Sequence, residues 1–133
     1  MRTVSMMERM GGANDADAQQ NNGLFSTTFV LGAGYPMFKK SGDIRNPDSS
    51  SAIVFVDESQ NTVDDSVFLI SWNLWNNSPA ARHSKGATFS FADGHVECWR
   101  WKGITTEQSG DITPSMAAQT ADLQRVMAAE ATQ

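Results

Sequence analysis

The sequence predicts an α+β domain in which a small antiparallel β-sheet of about three to five strands carries one short C-terminal helix. Two runs rich in β-branched and aromatic residues, at 52–56 and 66–72, predict strands, and a hairpin pattern covers 87–101. A narrow apolar stripe near the C-terminus predicts the helix. With 133 residues, of which 40% are hydrophobic, the chain can bury one core but hardly two.

The first part of the chain lacks a regular apolar pattern. Residues 1–23 contain one glycine pair and a run of Gln and Asn, so they predict a flexible polar segment ahead of a head domain at 24–133. The spacing of Val4, Met7 and Met10 allows a short helix over 4–10, which would be marginal alone.

Strands and loops alternate in the next part of the chain. A short strand is expected near 26–31, followed by a loop rich in turn-forming residues at 39–51. The run Ala52–Val56 is typical of a strand covered on both faces, and Ser66–Trp72 indicates a further strand.

The pair Asp93-Gly94 predicts a two-residue type I′ turn in a β-hairpin. In that register, Phe91 pairs with Val96 and Phe89 with Cys98, and paired residues share a face of the sheet. We therefore expect one apolar packing or assembly face made of Phe89, Phe91, Val96 and Cys98. The opposite face is predicted to hold Thr88, Ser90, His95, Glu97, Trp99 and Trp101.

A terminal helix is predicted over about 121–129. Its start signals are Thr113-Pro114 or Thr120 as caps, with Asp122 favourable in a first turn. The apolar stripe that would pack on the sheet or on a partner consists of Leu123, Val126 and Met127.

Charge and cysteine content exclude several classes of protein. Ten Lys and Arg against fifteen Asp and Glu give a net charge of −5, so we expect no nucleic-acid partner, because affinity for phosphates comes mainly from cationic contacts. The single cysteine excludes an intramolecular disulfide. No window approaches the roughly 20 apolar residues that a membrane span requires, and the start has no signal-peptide pattern.

Acidic residues and a histidine in the middle of the chain suggest a metal site, although their spacing matches no strong motif. The candidate ligands are Asp57, Glu58, Asp64, Asp65, His83 and Asp93. Carboxylates from loops suit Ca²⁺, whereas an added imidazole favours Zn²⁺ or Mn²⁺. The structural alternative is that Asp57 and Asp64 cap turns while His83 hydrogen-bonds Asp93. No other cofactor is expected.

Two other classes of function stay open on the residues alone. A metal-dependent hydrolase would need His83, Asp93 and His95 to converge around an open coordination position. Since the predicted strands offer no activated nucleophile, we expect no enzymatic activity. A carbohydrate-binding or adhesive module would expose tryptophans on one flat surface, and the chain has four of them: Trp72, Trp75, Trp99 and Trp101.

The central segment resembles a known family. Arg82-His83, nine further residues and then Asp93-Gly94-His95-Val96 resemble the H-X9-DG domain at the C-terminal end of prepilin-like proteins of Planctomycetes and Verrucomicrobia. Further elements that look like that family are Ile44-Arg45-Asn46-Pro47, Phe55-Val56-Asp57-Glu58, Asn61-Thr62-Val63-Asp64-Asp65 and Asp122-Leu123-Gln124. The likeness covers about 29–127, and it implies that His83, Asp93 and Gly94 are the defining residues.

This resemblance implies a structural role. Such proteins are similar to the pseudopilins of type II secretion and type IV pilus systems, in which a small head packs on a long N-terminal helix. The expected function is therefore the head of a subunit in an extracellular, periplasmic or cell-surface filament. Since this chain has no prepilin cleavage site or apolar helix, we expect an excised head, a gene fragment or one half of a split pilin. Its partners would be other pilin-like subunits, including copies of itself, or a separate helical chain.

Overall fold

The structure is built around a five-stranded sheet. The computed structural model describes residues 3–7, 10, 38, 40–64, 67–71 and 73–131. The strands are β1 Val4–Met7, β2 Ile53–Asp57, β3 Val67–Phe68, β4 Ile70–Ser71, β5 Leu74–Trp75, β6 Gly86–Phe91 and β7 Val96–Arg100, and the α-helix of the described residues is α1 Ala117–Ala128. The main sheet has the order β3-β1-β2-β6-β7, and β4 pairs with β5 in a second sheet.

The predicted α+β class is confirmed, but the main sheet is mixed rather than antiparallel. Strands β1, β2, β6 and β7 pair antiparallel with their neighbours, whereas β3 runs parallel to β1. The parallel pair joins strands that are far apart in the sequence. Local periodicity does not encode such a pairing, because it arises only when distant segments meet.

The helix expected over 4–10 is wrong for Val4–Met7, which forms an inner strand. Ser5 pairs with Val56 on one side, and Met7 pairs with Phe68 on the other. Four residues cannot sustain a helix alone, whereas two neighbouring strands satisfy their backbone groups on both edges. The sheet thus includes residues from the segment predicted as a polar lead-in. The strand expected at 26–31 lies outside the described residues.

The strand predicted at 66–72 divides at Leu69. The Leu69 N–H donates to Asn77 Oδ1 at 2.9 Å, and the Leu69 carbonyl accepts from the Asn77 N–H at 2.9 Å. These bonds take Leu69 out of the ladder, so β3 joins the main sheet while β4 turns back on β5. Phe68 and Ile70 are both buried in the core, on either side of this break.

The predicted hairpin is present, but its register is shifted by one residue. Phe89 pairs with Glu97 and Ala87 with Trp99, and the Phe91 N–H donates to the His95 carbonyl at 3.0 Å. The connection therefore has three residues, 92–94, and ends with Gly94 at φ +95°. This geometry is typical of a three-residue hairpin loop whose last residue is left-handed.

The shift moves every side chain of β7 to the other face, because side chains alternate with a period of two. Phe89 and Phe91 are buried, as the shared face required, but Val96 is 62% exposed and Cys98 is exposed. Trp99 takes the buried position instead. The predicted grouping of Phe89, Phe91, Val96 and Cys98 on one face is therefore wrong for its last two members.

The C-terminal helix begins four residues earlier than predicted, after Met116, and neither Thr113 nor Thr120 caps it. Asp122 is buried and acts elsewhere: its carboxylate accepts hydrogen bonds from the consecutive backbone N–H groups of 102–104 at 2.7–3.2 Å. Gly103 allows this close approach, because a Cβ there would lie 2.3 Å from the Gln119 backbone nitrogen. The helix is thereby tied to the loop that follows β7.

An aromatic cluster fills the space between α1 and the sheet. Phe89 lies with its ring centroid 4.6 Å from Trp99 and 5.8 Å from Trp101, and Trp75 meets Trp101 edge-on at 6.3 Å. Leu123 and Val126 of the helix belong to the same buried cluster. None of the helices formed by the described residues is long and apolar enough to cross a bilayer.

Candidate functional site

His83 and Asp93-Gly94, which the family resemblance implies are the signature residues, lie at opposite ends of β6. His83 precedes the strand, and Asp93 and Gly94 form the hairpin loop after it. A six-residue strand spans roughly 17 Å at about 3.3 Å per residue. The expected hydrogen bond from His83 to Asp93 is therefore absent, and the three residues His83, Asp93 and His95 do not converge as a hydrolase would require.

His83 and Arg82 instead hold the end of β2. The His83 Nε2 atom lies 3.0 Å from Asp57 Oδ2, and the Arg82 guanidinium donates to the other oxygen of the same carboxylate. Arg82 also donates to the Glu58 carbonyl at 3.2 Å and approaches Glu107 at 3.5 Å. The first half of the signature thus anchors the loop before β6 to its neighbouring strand.

The second half of the signature shapes the hairpin tip. Asp93 Oδ1 accepts from the His95 backbone N–H at 3.0 Å and lies 2.5 Å from His95 Nδ1. The backbone N–H is the main cause that lowers the pKa of Asp93, and the contact with Asp93 raises the pKa of His95. The imidazole stacks on Phe91 with centroids 4.3 Å apart. The tip is thus a turn held by hydrogen bonds between its own residues, and the imidazole ring packs on the buried Phe91.

Glu97 continues this chain of polar contacts along β7. Its carboxylate lies 3.3 Å from His95 Nε2 and accepts from Trp99 Nε1 at 2.5 Å. The bond from the indole is the largest cause that lowers the pKa of Glu97. The imidazole therefore sits between two carboxylates, an environment that favours its protonated form.

Glu58, predicted as a metal ligand, forms a buried network with hydrogen-bond donors of the protein. It is 1% exposed, and its carboxylate accepts from the Ser5 hydroxyl, from Thr62 Oγ1 at 2.9 Å and from Asn77 Nδ2 at 2.9 Å. Burial raises the pKa of Glu58 despite these donors. The network joins β1, the end of β2 and the two loops that follow, so Glu58 has a structural place in the fold.

The predicted metal ligands are dispersed. Asp57 and His83 meet, but Glu58 has its own partners, Asp93 lies at the far end of β6, and Asp64 is exposed. Within the described ranges, no group of three or more His, Cys, Asp or Glu side chains is arranged to hold a metal ion. Asp65 lies outside those ranges, so the Ca²⁺ site stays a prediction. If Ca²⁺ binds there, adding a chelator should lower the melting temperature.

The tryptophans serve mainly in the core. Trp75, Trp99 and Trp101 are buried, and Trp101 Nε1 donates to the Ala80 carbonyl at 2.7 Å. Trp72 lies outside the described residues. Three of the four side chains on which a sugar-binding surface would depend are therefore enclosed.

The sheet face opposite α1 carries a row of uncharged side chains, which we call the open row. Ladder partners link one residue of each strand across the whole sheet. These residues are Val67, Met6, Phe55, Ser90 and Val96. Phe55 is 37% exposed and Val96 62%, and Val4 beside them is 44% exposed. In the part of the chain that is described, this face thus exposes Val4, Phe55 and Val96, while Met6, Val67 and Ser90 are half-buried.

Sequence reasoning missed the open row because it placed Val96 on the buried face and read the segment around Met6 as helical. Alternation in Val4–Met7 was the available signal, since Val4 and Met6 share one face and Ser5 and Met7 the other. No family model, curated protein or solved structure matches the chain.

Proposed function

We propose that this chain is the globular head of a pilin-like subunit, and that its open row packs on an apolar helix. The helix would belong either to the same subunit or to a separate pilin-like chain. The observation that carries the proposal is the uncharged row that crosses all five strands and exposes Phe55 and Val96. Exposed apolar side chains aligned across one sheet face support a contact with another macromolecule.

The dimensions of the row suit a helix. Five strands at about 4.8 Å spacing give a row roughly 19 Å long. A helix with side chains is about 10 Å wide and rises 1.5 Å per residue, so about 13 helical residues would cover it. None of the five side chains in the row is charged, which matches an apolar helix rather than a polar ligand.

The anchoring of the hairpin supports the same role. His83 and Arg82 tie one end of β6 to Asp57, while Asp93 and His95 close the other end. A rigid sheet presents a constant surface, which repeated packing of identical subunits requires. The resemblance to the H-X9-DG prepilin-like domain supports the proposal through these residues.

Assembly in the organism that encodes the chain tests the proposal. Phe55→Asp places a charge in the middle of the row and should prevent incorporation into surface or periplasmic filaments, seen by immunogold electron microscopy. Thr105→Asp is the matched control, because Thr105 is exposed in a loop away from the row. Both variants should keep the wild-type melting temperature, which separates lost assembly from lost folding.

Thiol protection gives a second readout. In a Cys98→Ser background, Phe55→Cys should react with a maleimide in the free chain and be protected in the native particle. Thr105→Cys in the same background should react equally in both. Full incorporation of Phe55→Asp, or an equally reactive thiol at position 55 in the particle, would contradict the proposed helix contact.

A further inference from the structure

Strand β7 forms one edge of the main sheet. It is the last strand in the order β3-β1-β2-β6-β7, and no described residue pairs with it beyond β6. Natural edge strands are usually short or interrupted by proline, bulges or lysine. Strand β7 has five residues in unbroken register and no proline, bulge or lysine between Val96 and Arg100; its charged residues are Glu97 and Arg100.

The hydrogen bonds of the hairpin show which backbone groups face outward. At the two ends of the hairpin, Phe91 donates to the His95 carbonyl and Trp101 donates to the Lys85 carbonyl. In an antiparallel pair such bonded positions alternate, so the odd-numbered residues of β7 bond to β6. The N–H and C=O groups of Val96, Cys98 and Arg100 therefore point away from the sheet.

We propose that β7 pairs antiparallel with β7 of a second copy of this chain, about a two-fold axis at Cys98. Val96 then faces Arg100 of the second copy, and Cys98 faces Cys98 of the second copy. All three outward-facing residues of each strand exchange hydrogen bonds in this register, and two five-stranded sheets become one. This inference does not depend on the helix contact proposed above, because it uses the edge of the sheet rather than its face.

Charge repulsion disfavours two alternative antiparallel registers of β7. An axis at Glu97 would oppose two carboxylates, and an axis at Arg100 would oppose two guanidinium groups, both of which are unfavourable. With the axis at Cys98, Glu97 faces Trp99 of the second copy. The guanidinium of Arg125 lies 3.8 Å from the Trp99 ring centroid, so the Glu97 carboxylate arrives beside a cation.

The contact is small, with five residues from each copy. Interfaces below the standard size are weak and reversible. We therefore expect an equilibrium between monomer and dimer that depends on concentration, and a stronger association where several copies are held close together.

Oxidation of the single cysteine tests the pairing on the purified full chain. Bonded antiparallel partners have Cα atoms about 5.5 Å apart, within the range of a disulfide. Diamide, which takes two electrons and two protons from two thiols, should therefore convert Cys98 to a disulfide-linked dimer. Dilution below the association range should slow this reaction strongly, as measured on non-reducing gels.

Cysteines at positions 96 and 100 test the register in a Cys98→Ser background. Two Val96→Cys chains would place their Cα atoms about 14 Å apart, four residues out of alignment, and should not cross-link. A mixture of Val96→Cys and Arg100→Cys chains should cross-link efficiently. Equal cross-linking of Val96→Cys alone, Arg100→Cys alone and the mixture of the two would indicate random collision and would overturn the proposal.

Proline at position 98 tests the backbone contacts directly. Because the Cys98 N–H faces outward, Cys98→Pro removes a bond to the second copy and none to β6. Analytical ultracentrifugation should show dimer for Cys98→Ser and monomer for Cys98→Pro at the same concentration, with melting curves reporting that both are folded. If Cys98→Pro does not fold, the cross-linking series decides alone. A wild-type chain that stays monomeric at all concentrations would refute the pairing.

Discussion

Removal of the Asp122 carboxylate from α1 should strongly destabilise the protein. The carboxylate is 3% exposed and accepts from the backbone N–H groups of Lys102, Gly103 and Ile104. Asp122→Ala leaves the buried N–H groups of Gly103 and Ile104 without an acceptor, at roughly 1–3 kcal/mol each. With the lost bond to Lys102, we expect a total loss of about 3–5 kcal/mol.

The measurement is the free energy of unfolding from urea denaturation, supported by thermal melting. For a domain of this size the melting temperature should fall by about 10–20 °C. Asp122→Asn keeps one acceptor oxygen and should lose about half as much. Gln124→Ala, on the exposed side of the same helix, is the control and should stay within about 0.5 kcal/mol of wild type. An Asp122→Ala variant within 1 kcal/mol of wild type would refute the assigned role of the carboxylate.

Further predictions concern protonation and register. The pKa of Glu58 is higher in the folded protein than in the unfolded chain, so the folded protein binds this proton more tightly. The stability of wild type relative to Glu58→Gln should therefore fall as pH rises above about 4.5. A difference in urea midpoint that does not change with pH would contradict this. Because the pKa of His95 is raised in the folded protein, protonation of His95 stabilises the fold. This contribution to the free energy of unfolding is fully present below about pH 6.5 and is lost as pH rises through the folded-state pKa. NMR titration of the imidazole should show the higher pKa, and Asp93→Asn should return it towards its ordinary value. Phe91→Asp should abolish folding, whereas Val96→Asp should change the free energy of unfolding by less than about 0.5 kcal/mol. Strong destabilisation by Val96→Asp would mean that Val96 is buried, as the register with a two-residue turn requires.

Local chemistry made the strands at 52–56 and 87–101 predictable, because β-branched runs and the Asp93-Gly94 pair act within a few residues. The same chemistry left the register undecided. Asp93-Gly94 suits a two-residue loop and also the end of a three-residue loop, and the two choices place Trp99 on opposite faces. Burial of Trp99 and Trp101 beside α1 favours the longer loop, since it encloses two indoles and exposes only Val96 and Cys98.

The candidate site shows the same division. His83, Asp93 and Gly94 were singled out by a family resemblance, and in the structure they flank a six-residue strand that has an anchored loop at each end. Their partners were not identifiable, because Asp57 meets His83 only when β2 and β6 lie side by side. Glu58 likewise looked like a ligand until Ser5, Thr62 and Asn77 surrounded it.

The sequence alone predicted the fold class, the hairpin and the terminal helix, and it determines the net negative charge. Propensity, turn chemistry and charge are properties of single residues and their neighbours. Folding in three dimensions settled the inner position of β1, the faces of β7 and the open row. Those features depend on which distant strands pair and on which side of the sheet buries the larger apolar area. The strand partners of β1, for example, lie far from it in the sequence, so no short window contains both.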